Sequence, residues 1–290
     1  MKELNNNINS KQYIEELVQD KNLKDKVLVQ KEKLITSIKI GFKTFFYSKK
    51  WLIYIALAFL MLPVTILTQT ISEGESLKFE NPDEAFINTI FGMQLLYPVI
   101  FIFGCILLIL PLSADEISEH STELYLVRPI KRETYWLSRW IIANVIVYFV
   151  NIVIYFIYFL FIHAFAAEGV FAGLGENLDI FTGIAIFLLL ATLIYSGIFL
   201  AVGMIGNRGM LLMFTVAIFE LFIISIIFLS DSPFIPQNNL YKIANDLLPD
   251  HLDLIVPEDL ELNFARIYVT ILPIAIFFIG AFYLRMRQFK

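Results

Sequence analysis

Cysteine is almost missing from this chain: of 290 residues, only Cys105 is one. A single thiol forms no intrachain disulfide and no cysteine metal cluster, and its place inside an apolar run marks it as a small buried residue. Histidine is nearly as scarce. His120, His163 and His251 are scattered, and no apolar run carries a His-x-x-x-His, Asp-Asp or Ser-His arrangement, which argues against a membrane-embedded enzyme. No G-x-x-x-x-G-K-[ST] segment is present, so the chain has no phosphate loop with which to bind ATP itself. The first 33 residues hold no apolar stretch of the kind a cleavable signal requires. Charge is sparse too. Only 17% of residues are charged against 58% hydrophobic, with a mean hydropathy of +0.71. A soluble domain interleaves charge to give every helix a wet face, and this chain does not.

What it has instead is long apolar runs. A helix rises about 1.5 Å per residue, so a hydrocarbon core of about 30 Å takes roughly 20 apolar residues to cross. Six runs approach that length: 51–71, 93–112, 140–166, 180–205, 209–229 and 267–284. Backbone amides in lipid must pair within their own segment, so each run is expected to be helical, with Pro63, Pro98 and Pro273 kinking three of them. The expected fold is therefore an all-α, polytopic membrane protein of six transmembrane helices over residues 51–290. Lys and Arg placement sets the orientation. With both termini inside, 19 of the 22 basic residues fall in cytoplasmic segments, leaving Lys78, Lys242 and Arg266 outside.

The flanking segments divide further. Residues 1–33 read as a polar cytosolic tail. Over 34–50, Ile38, Phe42, Phe45 and Phe46 recur at helical spacing while Lys39, Lys43, Lys49 and Lys50 hold the polar side and end. This predicts an amphipathic interfacial helix whose lysines favour anionic headgroups, the rival being a plain extension of the first span. Between the fifth and sixth spans, Leu240, Ile243, Ala244, Leu247 and Leu248 predict a short helix at the outer interface, stopped by Pro249. The acidic run Glu258, Asp259 and Glu261 reads as solvated surface.

The loop between the second and third spans is the most distinctive segment. Asp115, Glu116, Glu119 and Glu123 precede Arg128, Lys131 and Arg132. Ser121 or Thr122 is placed to cap a short helix including Glu123, Leu124 and Val127, and Pro129 breaks it. Such a helix, apolar on one side and charged on the other, suits a groove on a cytosolic partner. Asp115-Glu-Ile-Ser-Glu119, Thr122-Glu-Leu124, Arg128-Pro-Ile130 and Arg132 resemble the signature of ABC-2-type transporter permeases, commonly an acidic E-x-E-x-G-T-x-E-x-L stretch followed by R-P-x-x-R. The chain departs from that pattern at His120 or Ser121, where the family often has glycine.

The resemblance implies an N-terminal elbow helix and a coupling helix within 113–132 that sits in a cleft of an ATP-binding subunit. Asp115, Glu116, Glu119, Thr122, Glu123, Leu124, Arg128, Pro129 and Arg132 would make that contact. It further implies two such subunits, a second copy of the chain or a related permease, and ATP and Mg bound by the partner rather than here. The expected place is the plasma membrane, the direction export, and no nucleic-acid partner is expected. A scaffold or sensor that recruits an ATPase without moving cargo would present the same segment.

Inside the runs, Glu220 stands near the middle of the fifth span, where a charge costs about 2.5–3.5 kcal/mol on insertion scales and must face protein or water. It reads either as a substrate or ion contact or as a carboxyl bonded to Tyr195, Ser196 or Asn151. Asn144 and Asn151 are seven apart on one span, so they share a face and suit an interhelical contact or a pathway. His163 is expected to reach the outer interface.

Overall fold

The computed structural model describes residues 28–73, 81–92, 99–118, 131–165, 171, 174–175, 177–205, 208–220, 233–248 and 260–286. Among them every regular element is helical. The elements are α1 (residues 28–48), α2 (Lys50–Glu73), α3 (Pro82–Ile87, running into a π turn Asn88–Gly92) and α4 (Phe101–Ile109, closing in a 3-10 turn Leu110–Leu112). There follow α5 (Ala114–Ser118), α6 (Arg132–Ala164), α7 (Leu178–Gly203), α8 (Gly209–Ile218), α9 (Pro236–Leu247) and α10 (Leu262–Met286).

Among the described residues α6, α7 and α10 are long and apolar enough to cross a membrane, which marks this as a membrane protein. They correspond to the runs expected at 140–166, 180–205 and 267–284. The run at 51–71 lies within α2. Of the run at 93–112 the described part is α4 with its 3-10 turn, and residues 93–98 lie outside the described residues. The run at 209–229 begins at Gly209 as expected, and its part beyond Glu220 also lies outside. Helix α7 is the centre of the bundle, touching α4, α6, α8, α9 and α10. Its turn into α8 is so tight that a Cβ on Gly209 would lie 2.3 Å from the carbonyl oxygen of Gly203. Helix α10 is the least enclosed, with Ile267, Ile271, Ile274, Phe278 and Phe282 exposed along one side. An apolar stripe left outside is what a lipid-facing helix presents.

Four features refine the sequence expectation. Helix α6 begins at Arg132 rather than 140, because Tyr135, Trp136, Ser138 and Arg139 are buried against the protein and need no water. Helix α1 is separate from α2, so it is not a plain extension of the first span. Lys49 breaks the backbone at φ 56°, in the left-handed region that ends helices. Its buried stripe is Ser37, Gly41 and Phe45, at i, i+4 and i+8, while Phe46, expected on the apolar face, is exposed. Helix α9 is the short helix expected from Leu240, Ile243, Ala244, Leu247 and Leu248. It is packed between α7 and α10 with Leu240, Tyr241, Ile243 and Ala244 buried, and Leu248 occupies space that a Cβ on Gly183 would take. Helix α3 was not expected, although Pro82 at its start and Asp83 and Glu84 in its first turn are helix-initiating signals. It seats Phe86 against Phe159 and Phe91 against Phe187.

Candidate functional site

The described ends of the 113–132 loop, with α1 and the start of α2, form a charged node. Ser113 turns the chain out of α4, its hydroxyl donating to the carbonyl of Ile109 at 3.0 Å. Helix α5 then directs Glu116 inward, where the residue is 2% exposed. Arg139 meets it with two prongs: Nη2 donates to Oε1 at 2.7 Å and Nε to Oε2 at 2.8 Å. This fork geometry is the strongest form of carboxylate recognition. The Tyr135 hydroxyl also donates to Oε2, and its ring lies 4.8 Å beneath the guanidinium. Tyr135 and Arg139 are four residues apart on α6, so both face Glu116.

The node reaches α1 as well. Arg139 Nη1 donates to the carbonyl oxygen of Ser37 at 3.1 Å. The Ser138 hydroxyl donates to the carbonyl of Tyr135, so in the 2.7 Å contact between the two serines it is Ser37 that donates to Ser138. Gly41 makes room for this. A Cβ there would come within 2.5 Å of Arg139 Nη1 and 2.4 Å of Ile142 Cδ1. Two burials of opposite charge are thus compensated by a fork, a phenol and a backbone carbonyl, the condition under which a buried pair repays its desolvation.

The remaining described loop candidates engage neighbouring elements too. Asp115 pairs with Lys50 at the start of α2, partly exposed and so worth about 0–1 kcal/mol. Arg132, at the start of α6, donates to the carbonyls of Arg285 (3.0 Å) and Leu284 (3.4 Å) in the last turn of α10. A cation there satisfies carbonyls that the helix leaves unpaired and complements its dipole. Asp115, Glu116 and Arg132 therefore anchor the loop's ends to the bundle. Glu119, Thr122, Glu123, Leu124, Arg128 and Pro129 lie outside the described residues. Sequence reasoning missed Arg139, Tyr135, Ser37 and Ser138. The available signal was an arginine opening a long apolar run with a glutamate just across the preceding loop.

The residues singled out inside the runs are brought together only in pairs. Glu220, buried at the end of the described part of its helix, accepts the Tyr195 hydroxyl at 2.6 Å, the first of its three proposed partners. Asn144 accepts the Ser196 hydroxyl at 2.8 Å, joining α6 to α7. Asn151 accepts the Tyr54 hydroxyl, joining α6 to α2, and donates to the carbonyl of Val147 at 2.7 Å. The two asparagines, two turns apart on α6, thus serve different neighbours. Gly104 lets the Tyr54 ring lie across α4, since a Cβ there would sit 2.2 Å from it. His163 is fully buried rather than turned outward, with Nδ1 on the carbonyl of Phe159 at 2.9 Å and Nε2 on the Asn177 amide at 3.2 Å. With the amide nitrogen donating, Nε2 accepts and Nδ1 donates to the Phe159 carbonyl. In α9, burial pushes the Tyr241 phenol up to about 12. No three His, Cys, Asp or Glu residues converge as a metal set among the described residues. No family model, no curated protein and no solved structure matches this chain.

Proposed function

We propose that the chain is the membrane-spanning permease subunit of an ATP-driven exporter of the ABC-2 type, docking a cytosolic ATPase through residues 113–132. In this reading six helices cross the plasma membrane with both termini inside. Two copies, or this chain and a related one, form the pathway. ATP and Mg belong to two partner subunits, consistent with a sequence that carries no phosphate loop. Nucleotide-driven closure of the ATPases then shifts the permease between inward- and outward-facing states, which requires contacts that differ between them.

The observation that carries the reading is the loop itself. Its sequence has the acidic stretch, the Thr122-Glu-Leu124 step and the Arg128-Pro-Ile130 break, and its described ends are anchored to the bundle, Asp115 with Glu116 on one side and Arg132 on the other. A segment that takes up motion from a partner needs such a base, because a floppy attachment would absorb the motion. The test is purification of the tagged chain from its native membrane. An ATP-binding subunit should accompany it in equal amount, and Leu124→Asp or Glu123→Arg should abolish that association without lowering the yield of the chain. Undiminished association in both variants would remove the loop as the docking site.

A further inference from the structure

The node gives Glu116 a role other than the ATPase contact that the resemblance implies, and gives a role to Arg139, which the loop signature does not include. We propose that Glu116 and Arg139 are positioning residues, whose pair fixes α1 and the first turn of the loop onto the base of α6 so that the three move as one body. The value of this arrangement for energy coupling rests on the docking reading above; the arrangement itself does not. Arg139 links α6 to two further elements, with two nitrogens on Glu116 of α5 and the third on the Ser37 carbonyl of α1. The pair is fully enclosed, with side-chain exposures of 0% and 1%, so water does not weaken it. Glycine at position 41 lets α1 approach closely enough for that third contact. A motion delivered to the loop therefore reaches α1 and α6 together, and Asp115 with Lys50 and Arg132 with the end of α10 extend the same base to two more helices.

A disulfide reporter tests the proposal. The Ser37 and Ser138 hydroxyls are 2.7 Å apart, and the native Cys105 is buried, so Ser37→Cys with Ser138→Cys gives a cross-link that reads the seating of α1 on α6. In the purified full chain this pair should close rapidly under mild oxidation. Adding Glu116→Gln should slow closure at least ten-fold. Adding Glu116→Gln together with Arg139→Gln removes the stranded charge yet leaves no fork, so closure should stay slow in a chain that remains monodisperse. If instead the doubly neutral variant closes at the parent rate, the pair contributes only charge balance and the proposal is wrong. It is equally wrong if Glu116→Gln alone leaves the rate unchanged. Leu124→Asp separates this from docking: it should release the ATPase while leaving the cross-linking rate untouched. An ATPase that stays bound to Leu124→Asp contradicts the docking reading alone.

Discussion

Among the described residues two glutamates are buried, and their surroundings differ. Glu116 lies at the loop end of the molecule and receives a guanidinium fork and a phenol. Glu220 lies within an apolar helix pair and receives the hydroxyl of Tyr195. The first is held by a full opposite charge from a neighbouring helix, and its partner in turn grips a third element. The second accepts a hydrogen bond from a neutral hydroxyl, which an uncharged amide oxygen can also accept. A buried carboxyl is therefore not one kind of feature. Its neighbour decides whether it is part of a framework or a replaceable hydrogen-bond acceptor.

The largest effect that would break this contrast is at Glu116. Glu116→Gln strands the Arg139 charge, and thermal or denaturant unfolding in detergent should show a loss of about 3–5 kcal/mol. Removing Arg139 as well should recover much of that loss, and an equal deficit in single and double variants would deny the pairing. Next in size is Arg139→Lys, which keeps the charge but loses the fork and the Ser37 carbonyl contact, for about 1–3 kcal/mol by the same measurement. Glu220→Gln keeps an acceptor oxygen for Tyr195 and should change stability by about 1 kcal/mol or less. A deficit as large as that of Glu116→Gln would erase the contrast. Smallest is Arg132→Ala, partly exposed, expected to cost about 0.5–1 kcal/mol and to show as faster hydrogen exchange in the last turn of α10.

Hydropathy and basic-residue placement made the helices readable, as Leu178–Gly203 against an expected 180–205 illustrates. They failed where charge is buried. The expectation for α6 stopped at Trp140 because Arg139 counts as a cost in lipid, whereas Glu116 cancels that cost from a different element. Pairing across a loop is invisible to a window moved along one chain. The same limit applies to α9. Its amphipathic pattern was legible, but whether its faces meet lipid, water or two neighbouring helices depends on tertiary packing, and Gly183 and Leu248 meet only in the fold. Of the site residues, Glu220 was legible as a carboxyl in an apolar run that must find a donor, with Tyr195 one of three candidates. Asp115, Glu116 and Arg132 were legible as a charged loop but not as its anchors, since which side chains turn inward depends on the 3-10 turn after α4 and on where α6 starts.

The central claim is that the loop between α5 and α6 faces the cytosol, where an ATPase can hold it. The most direct measurement is labelling of single introduced cysteines with a membrane-impermeant maleimide, against a background in which Cys105 is buried. Glu123→Cys should label in inverted vesicles and stay unlabelled in intact cells, and Glu258→Cys should show the reverse. Labelling of Glu123→Cys from outside intact cells would contradict the orientation and, with it, the proposed function.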